Sequence, residues 1–310
     1  MSRRALVPLL AGALLAALAL GLFTGPGGLP DELLLRLRLL RVAQGLAAGI
    51  LLAVAGCAFQ AVLQNVLAEP YVLGVSSGAA LGAALSIAFG LSPFSWGIPG
   101  CAAAGAAGSF LLVLAVSRGM GGAALILAGV VVGSVLSSGL LLVLSVSSAE
   151  GLRNITWWML GNLDVFSTRP LILLWACVVV VLGGLWLSSR ELDALSLGEE
   201  RAAGVGVDVR TARLSILALG TLAAAATVSA AGIIPFVGLF VPHMVRRLSG
   251  SRHARLIPAA AVAGGAFLVV ADSLARLVLS PRQVPVGVVT ALVGGPLFLI
   301  LLRGRTRLWR

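Results

Sequence analysis

Lysine is absent from this chain of 310 residues. A Walker A loop, a Schiff-base lysine and a kinase-type lysine are therefore all excluded, so work driven by ATP must use a partner. Charge of either sign is scarce: 11% of residues are charged, where a soluble domain carries roughly 25%. Cysteine is limited to Cys57, Cys101 and Cys177, each inside an apolar run and without metal-type spacing, so they read as small packing residues and imply no disulfide framework. No clustered set of His, Cys or carboxylate stands at catalytic or metal spacing within a span, which argues against an integral-membrane enzyme.

What is present is apolar: 59% of residues are hydrophobic and the mean hydropathy is +1.09, a composition that belongs in a bilayer. The 22 basic residues, all Arg, outnumber 11 acids and give a net charge of +11. On a soluble protein that excess would suggest nucleic acid. Here the arginines sit mostly between apolar runs, where they read as topology signals and, second, as attraction to anionic lipid, so no nucleic-acid partner is expected.

A helix needs roughly 20 apolar residues to cross a core of about 30 Å. Ten runs qualify: 5–23, 42–63, 71–91, 97–117, 122–146, 171–189, 211–231, 233–247, 256–277 and 285–302. The first, behind Arg3 and Arg4, resembles a signal peptide but is near spanning length with no A-x-A site, and reads as an uncleaved helix. The eighth is short and holds Pro235 and Pro242, so a broken or tilted helix is expected. Ten spans put both termini on one side. With the termini inside, 15 arginines fall inside and 7 outside, which predicts cytoplasmic termini. Gly, Ala and Ser are dense in the spans, allowing close helix approach, and Ala55-Gly56 with Ala231-Gly232 hints that spans 2–5 and 7–10 are inverted repeats.

Five stretches invite functional readings. Gln60 and Gln64 share a helix face and either line a wet path or bond neighbouring helices. Glu69, before Pro70 and Tyr71, reads as a cap at the start of the third span. Residues 192–210 read as two short helices broken at Gly198 and at Gly204-Val205-Gly206, with Leu192, Leu195 and Leu197 as an apolar face suited to a cytosolic partner's socket. His243 has no companion ligand and reads as a structural hydrogen-bonding residue; Asp272, the one acid well inside an apolar run, reads as paired with Arg276 four residues on. Outside, Arg36, Arg38, Arg41 and Arg282 read as exposed forks for carboxylates of another protein or as interfacial anchors.

Together these stretches resemble the FecCD-type permeases of ABC importers, which carry ferric siderophores, haem and cobalamin, over about residues 36–303. The match lies in Ala55-Gly56 through Asn65, Leu67-Ala68-Glu69-Pro70, Leu73 to Ala79, Leu127-Ala128-Gly129, Trp158 to Gly161, Leu197-Gly198-Glu199, Phe236 to Leu239, Pro242-His243 and Pro285 to Ala291. The resemblance implies an all-α integral membrane protein of about ten transmembrane helices per subunit, with type II ABC importer permease architecture and a single permease domain over 1–310. It further implies a homodimer in the prokaryotic inner membrane with two cytosolic ABC ATPases, which hold the ATP and Mg, and an external substrate-binding protein. Leu195, Leu197, Gly198, Glu199, Glu200 and Arg201, within a coupling element at 191–206, would dock on the ATPase. Gln60, Gln64, Asn65, Leu67, Gly121 and Gly122 would form the path and inner gate, and Arg38, Arg41 and Arg282 would meet acids of the binding protein. No cofactor, metal or catalytic residue is expected on this chain. Val66 and Leu40 stand where the family usually has proline. The rival class is a gradient-driven carrier or channel, against which stand the Gly-broken inner loop and the lack of an ionisable group clearly at the bilayer midplane.

Overall fold

The computed structural model describes residues 3–26, 30–90, 97–117, 122–165, 168–280 and 282–305. Among them all regular structure is helical: α1 (Arg3–Phe23), α2 (Glu32–Val62), a 3-10 turn (Pro70–Leu73), α3 (Val75–Ala88), α4 (Gly97–Val116), α5 (Gly122–Val146), α6 (Ala149–Met159), α7 (Thr168–Leu187), α8 (Ser189–Leu195), α9 (Glu199–Gly204), α10 (Val209–Ala231), α11 (Val237–Ser249), α12 (His253–Leu277) and α13 (Val286–Arg305). Seven of these, α1, α2, α4, α5, α7, α10 and α12, are long and apolar enough to cross a membrane, and α3 and α13 are shorter apolar helices. With α11 they make about ten membrane helices, one for each apolar run.

Two boundaries differ from expectation. Helix α2 begins ten residues early, because the Asp31 carboxylate accepts from Leu34 N at 2.8 Å and caps a helix that runs on through Arg36, Arg38 and Arg41. Leucine at position 40 leaves that run unbroken, where proline would interrupt it. Helix α6 was not expected; Ser148 caps it by accepting from Gly151 N at 3.2 Å. The α-helices of the third and eighth runs are both shortened, by the 3-10 turn before α3 and by the irregular residues 232–236 before α11.

Helix α2 is the hub, packed by α12, α10, α11 and α7. Glycine makes two of these contacts possible. A Cβ on Gly56 would stand 1.9 Å from the Gly238 carbonyl oxygen on α11, and one on Gly49 would stand 2.3 Å from the Gly264 carbonyl oxygen on α12. Such backbone contact replaces the hydrophobic drive that lipid does not supply. Helix α2 lies on α12 as α10 lies on α4, and short α3 packs on α4 as short α11 packs on α12, the pairing that repeats over α2–α5 and α10–α13 would give.

Candidate functional site

At one end of the bundle the C-terminus of α2 meets the α8–α9 pair. Gln60 is buried, and its Nε2 donates to the carbonyls of Gly238 (3.4 Å) and Leu239 (3.3 Å) while its Oε1 accepts from Arg246 (3.2 Å). All three bonds join α2 to α11, so this amide bonds helices. One turn on, the helix ends and Gln64 turns left-handed (φ 49°), exposed, with Nε2 donating to the Leu195 carbonyl at 3.4 Å. Asn65 Oδ1 accepts from Leu67 N at 2.9 Å, closing the turn in which Val66 replaces proline, and Leu67 is exposed. Gly122 approaches Leu63 closely enough that a Cβ there would lie 3.7 Å from its Cα. Gly121 lies outside the described residues.

Glu69 caps a helix, though not the expected one. Its Oε1 accepts from Phe236 N at 2.6 Å, at the N-terminus of α11, where Phe236 is itself left-handed (φ 70°). Tyr71 accepts from Ile234 N at 3.4 Å. The loop after α2 thus holds the unwound segment before α11.

Residues 189–204, which overlap the expected coupling element, fold as two short helices that break at Gly198, whose φ of 113° suits glycine. Its expected apolar face is corrected: Leu192 and Leu195 are fully buried against the bundle, leaving Leu197 and Val205 exposed with Glu200 and Arg201. Helical rotation accounts for this, since 192 and 195 share one face of α8 and 197 lies beyond its end. Glu199 pairs with Arg213 of α10 at 2.8 Å. Asp193 Oδ1 takes both the backbone N–H of His253 (2.8 Å) and its Nδ1 (2.7 Å), and Trp186 Nε1 donates to the Ala254 carbonyl at 3.1 Å. The pair is thereby fixed to α2, α10 and α12 at once.

At the opposite end lies a buried ionic network. Asp272 takes Arg276 Nε at 3.1 Å, as the i, i+4 spacing predicts, and also Arg41 Nη2 at 2.9 Å. Arg41 Nη1 reaches Asp164 and, at 2.8 Å, Gln283 Oε1. Arg38 donates to the carbonyls of Leu22 (3.1 Å) and Pro26 (3.0 Å). The expectation of exposed forks therefore fails for Arg38 and Arg41, which are 4% and 8% exposed because acceptors from four other segments enclose them. Arg36 and Arg282 are exposed. The network was not visible in the sequence beyond Asp272 and Arg276, since Arg41 lies 123 residues from Asp164 and 231 from Asp272.

Helix α5 presents an open face: Leu127, Val131, Val135 and Leu142 are each more than half exposed, and Ser134 and Ser138 lie among them. These hydroxyls donate to their own helix, to Val130 O (2.8 Å) and Ser134 O (2.9 Å). Beside this face a recess of about 430 Å³ is lined by Tyr71, Ser77, Gly133, Ser134 and Ser137, with Ser77 and Ser137 sharing a hydrogen bond at 3.0 Å. Among the described residues no group of three His, Cys, Asp or Glu is placed to hold a metal ion.

Residues 13–304 match the family described as the FecCD transport family. The chain is 38% identical over 278 residues to the cobalamin import system permease protein of Halobacterium salinarum, covering 87% of this chain and 73% of the relative. It is 37% identical over 285 residues to the hemin transport system permease protein of Yersinia pestis, covering 87% and 83%. Its fold superposes with a TM-score of 0.90 on a chain described as a metal-chelate type ABC transporter in an inward-facing conformation, at 28% identity and covering 97% and 99% of the two chains.

Proposed function

Because the chain belongs to the FecCD transport family, in which it is a multi-pass membrane permease of an ABC importer, we propose that it carries a metal chelate of the haem, cobalamin or ferric-siderophore class inward. Hydrolysis of ATP takes place on two separate cytosolic subunits, and a homodimer frames the path. The observation that carries the reading is the α8–α9 pair. It offers a small exposed tip of Leu197, Glu200, Arg201 and Val205, while the rest of it bonds to α10, α12 and the turn that ends α2. A push on the tip moves the end of α2 through Leu195 and Gln64, and α12 through Asp193 and His253. Leu195 and Glu199 then transmit, while Leu197 and Glu200 touch the ATPase.

The inner gate is the turn of Gln64, Asn65 and Leu67 with Gly122 beside it, and the hydroxyl-lined recess along α5 faces the cargo. Termini and α8–α9 are cytoplasmic. At the external end Arg282 with Arg36 meets acids of the binding protein, while Arg38 and Arg41 hold the surface in shape from beneath. The chain itself makes and breaks no covalent bond, and its motion is alternating access.

The deciding experiment is uptake of haem, cobalamin or ferric siderophore into liposomes holding this chain, with and without its ATPase, binding protein and ATP. Uptake only in the complete system supports the reading. Uptake driven by a proton or cation gradient with no ATPase present would overturn it in favour of a secondary carrier.

A further inference from the structure

A second, separate feature lies on the flank of the bundle. Helices α4, α7 and α10 diverge around a crevice of about 610 Å³, within the range of ligand pockets. Ala103, Ala107, Leu173, Cys177, Ala218 and Leu222 are among its walls. It follows α10 from Ala218 to Ala230, about 18 Å at 1.5 Å per residue, slightly more than half a hydrocarbon core of about 30 Å. It runs from near the middle of α10 to the end of the bundle where Pro99, Pro170 and Ala230 stand near the ends of their helices. The crevice is thus one leaflet deep.

Water does not suit this space. Its polar side chains are Thr221 and Ser229; Ser229 already donates to the Ala226 carbonyl at 3.0 Å, and Thr221 Oγ1 is buried without a partner. A bound water needs two to four polar partners, which one hydroxyl cannot supply. Ala107, Leu111, Leu173, Ala218 and Leu222 are exposed along the opening, so the space is continuous with whatever surrounds the spans. Beside the Pro170 end stands Arg169, exposed and without an ion pair among the described residues, one residue before Pro170 and on the helix face of Leu173.

We infer that this crevice binds an anionic phospholipid of the leaflet at the α4 and α7 N-termini, with one acyl chain between α4, α7 and α10 and the phosphate headgroup at Arg169. Under the orientation proposed above that is the outer leaflet. Arginine suits a phosphate through its charge and its fork of donors, and the apolar walls suit the chain.

Native mass spectrometry of the detergent-solubilised chain, loaded with phosphatidylglycerol or phosphatidylcholine, reads the site directly. One phosphatidylglycerol per chain is expected to survive detergent exchange. Ala107→Phe and, from the facing wall, Ala218→Phe fill the space and should abolish retention. Arg169→Gln should keep an acyl lipid bound but reduce the preference for phosphatidylglycerol by about fivefold, the worth of one arginine near a charged surface. Photoreactive phosphatidylglycerol with a diazirine on its acyl chain should label α4, α7 and α10 above exposed α1. Even labelling of α1 and the crevice, or retention unchanged in both filled variants, overturns the inference and leaves only annular lipid. Cross-links between two copies through α4 or α10 would overturn it in favour of a protein neighbour.

Discussion

Arg41 shows how one side chain can be diverted from the role its position suggests. Its guanidinium reaches Asp272, which is 3% exposed, and Asp164, which is 40% exposed. An exposed ion pair contributes at most about 1 kcal/mol, whereas removing one partner of a buried pair costs about 3–5 kcal/mol. Arg41→Ala should therefore destabilise the chain by about 3 kcal/mol, the low end because Arg276 still pairs with Asp272. Asp164→Ala should cost about 1 kcal/mol or less. Thermal unfolding in detergent checks both. Arg282→Ala, at an exposed position, should leave the unfolding temperature unchanged and weaken capture of the binding protein. At this scale the sequence was legible where partners are neighbours along a helix: Asp272 with Arg276 follows from a spacing of four. Arg41 to Asp272 spans 231 residues, and no local pattern encodes it. Glu69 is intermediate, since its capping role was readable and its target, 167 residues away at the residue before α11, was not.

Elements were read more fully, because apolar length and glycine are local signals. Every apolar run became a helix, and the coupling segment broke at Gly198 as expected. The early start of α2 was hidden by alternating Leu and Arg at 35–38, which looks unlike a spanning helix, and α6 is too short and mixed to register as a span. Under the proposed coupling role, the α8–α9 pair acts as a lever only while it is tied to the bundle. Asp193→Ala removes the acceptor of two His253 bonds, so ATPase turnover should persist while cargo moved per ATP falls severalfold, read by paired hydrolysis and uptake assays. Leu197→Arg, at the exposed tip, should instead reduce assembly with the ATPase and leave the permease folded. Gly56→Ala places a methyl group against the Gly238 carbonyl and should cost about 2 kcal/mol or more as overpacking, since both partners are backbone. A lower unfolding temperature with ordinary membrane insertion would mark that effect as packing.

For the whole molecule, the proposed homodimer needs a face that meets a second copy. Helix α5 carries Leu127, Val131, Val135, Ser138 and Leu142 along one stripe at spacings of four and three, all exposed, with its hydroxyls satisfied by its own carbonyls. A stripe that mixes serine with leucine and valine suits small-residue helix contacts and a partly polar lining better than bare lipid. A two-fold dimer sets a stripe at the axis against its own copy. In a chain freed of Cys57, Cys101 and Cys177, single cysteines along this stripe should cross-link to themselves under mild oxidation wherever the two α5 helices come within about 7 Å. Positions held apart by the path should respond only to a longer bifunctional reagent, so the series maps where the path is narrow. A cysteine at Ala218, on the flank crevice, should stay uncross-linked. If Ala218 linked and the α5 series did not, the interface would lie on α4 and α10, and both the proposed path and the lipid site would have to be abandoned together.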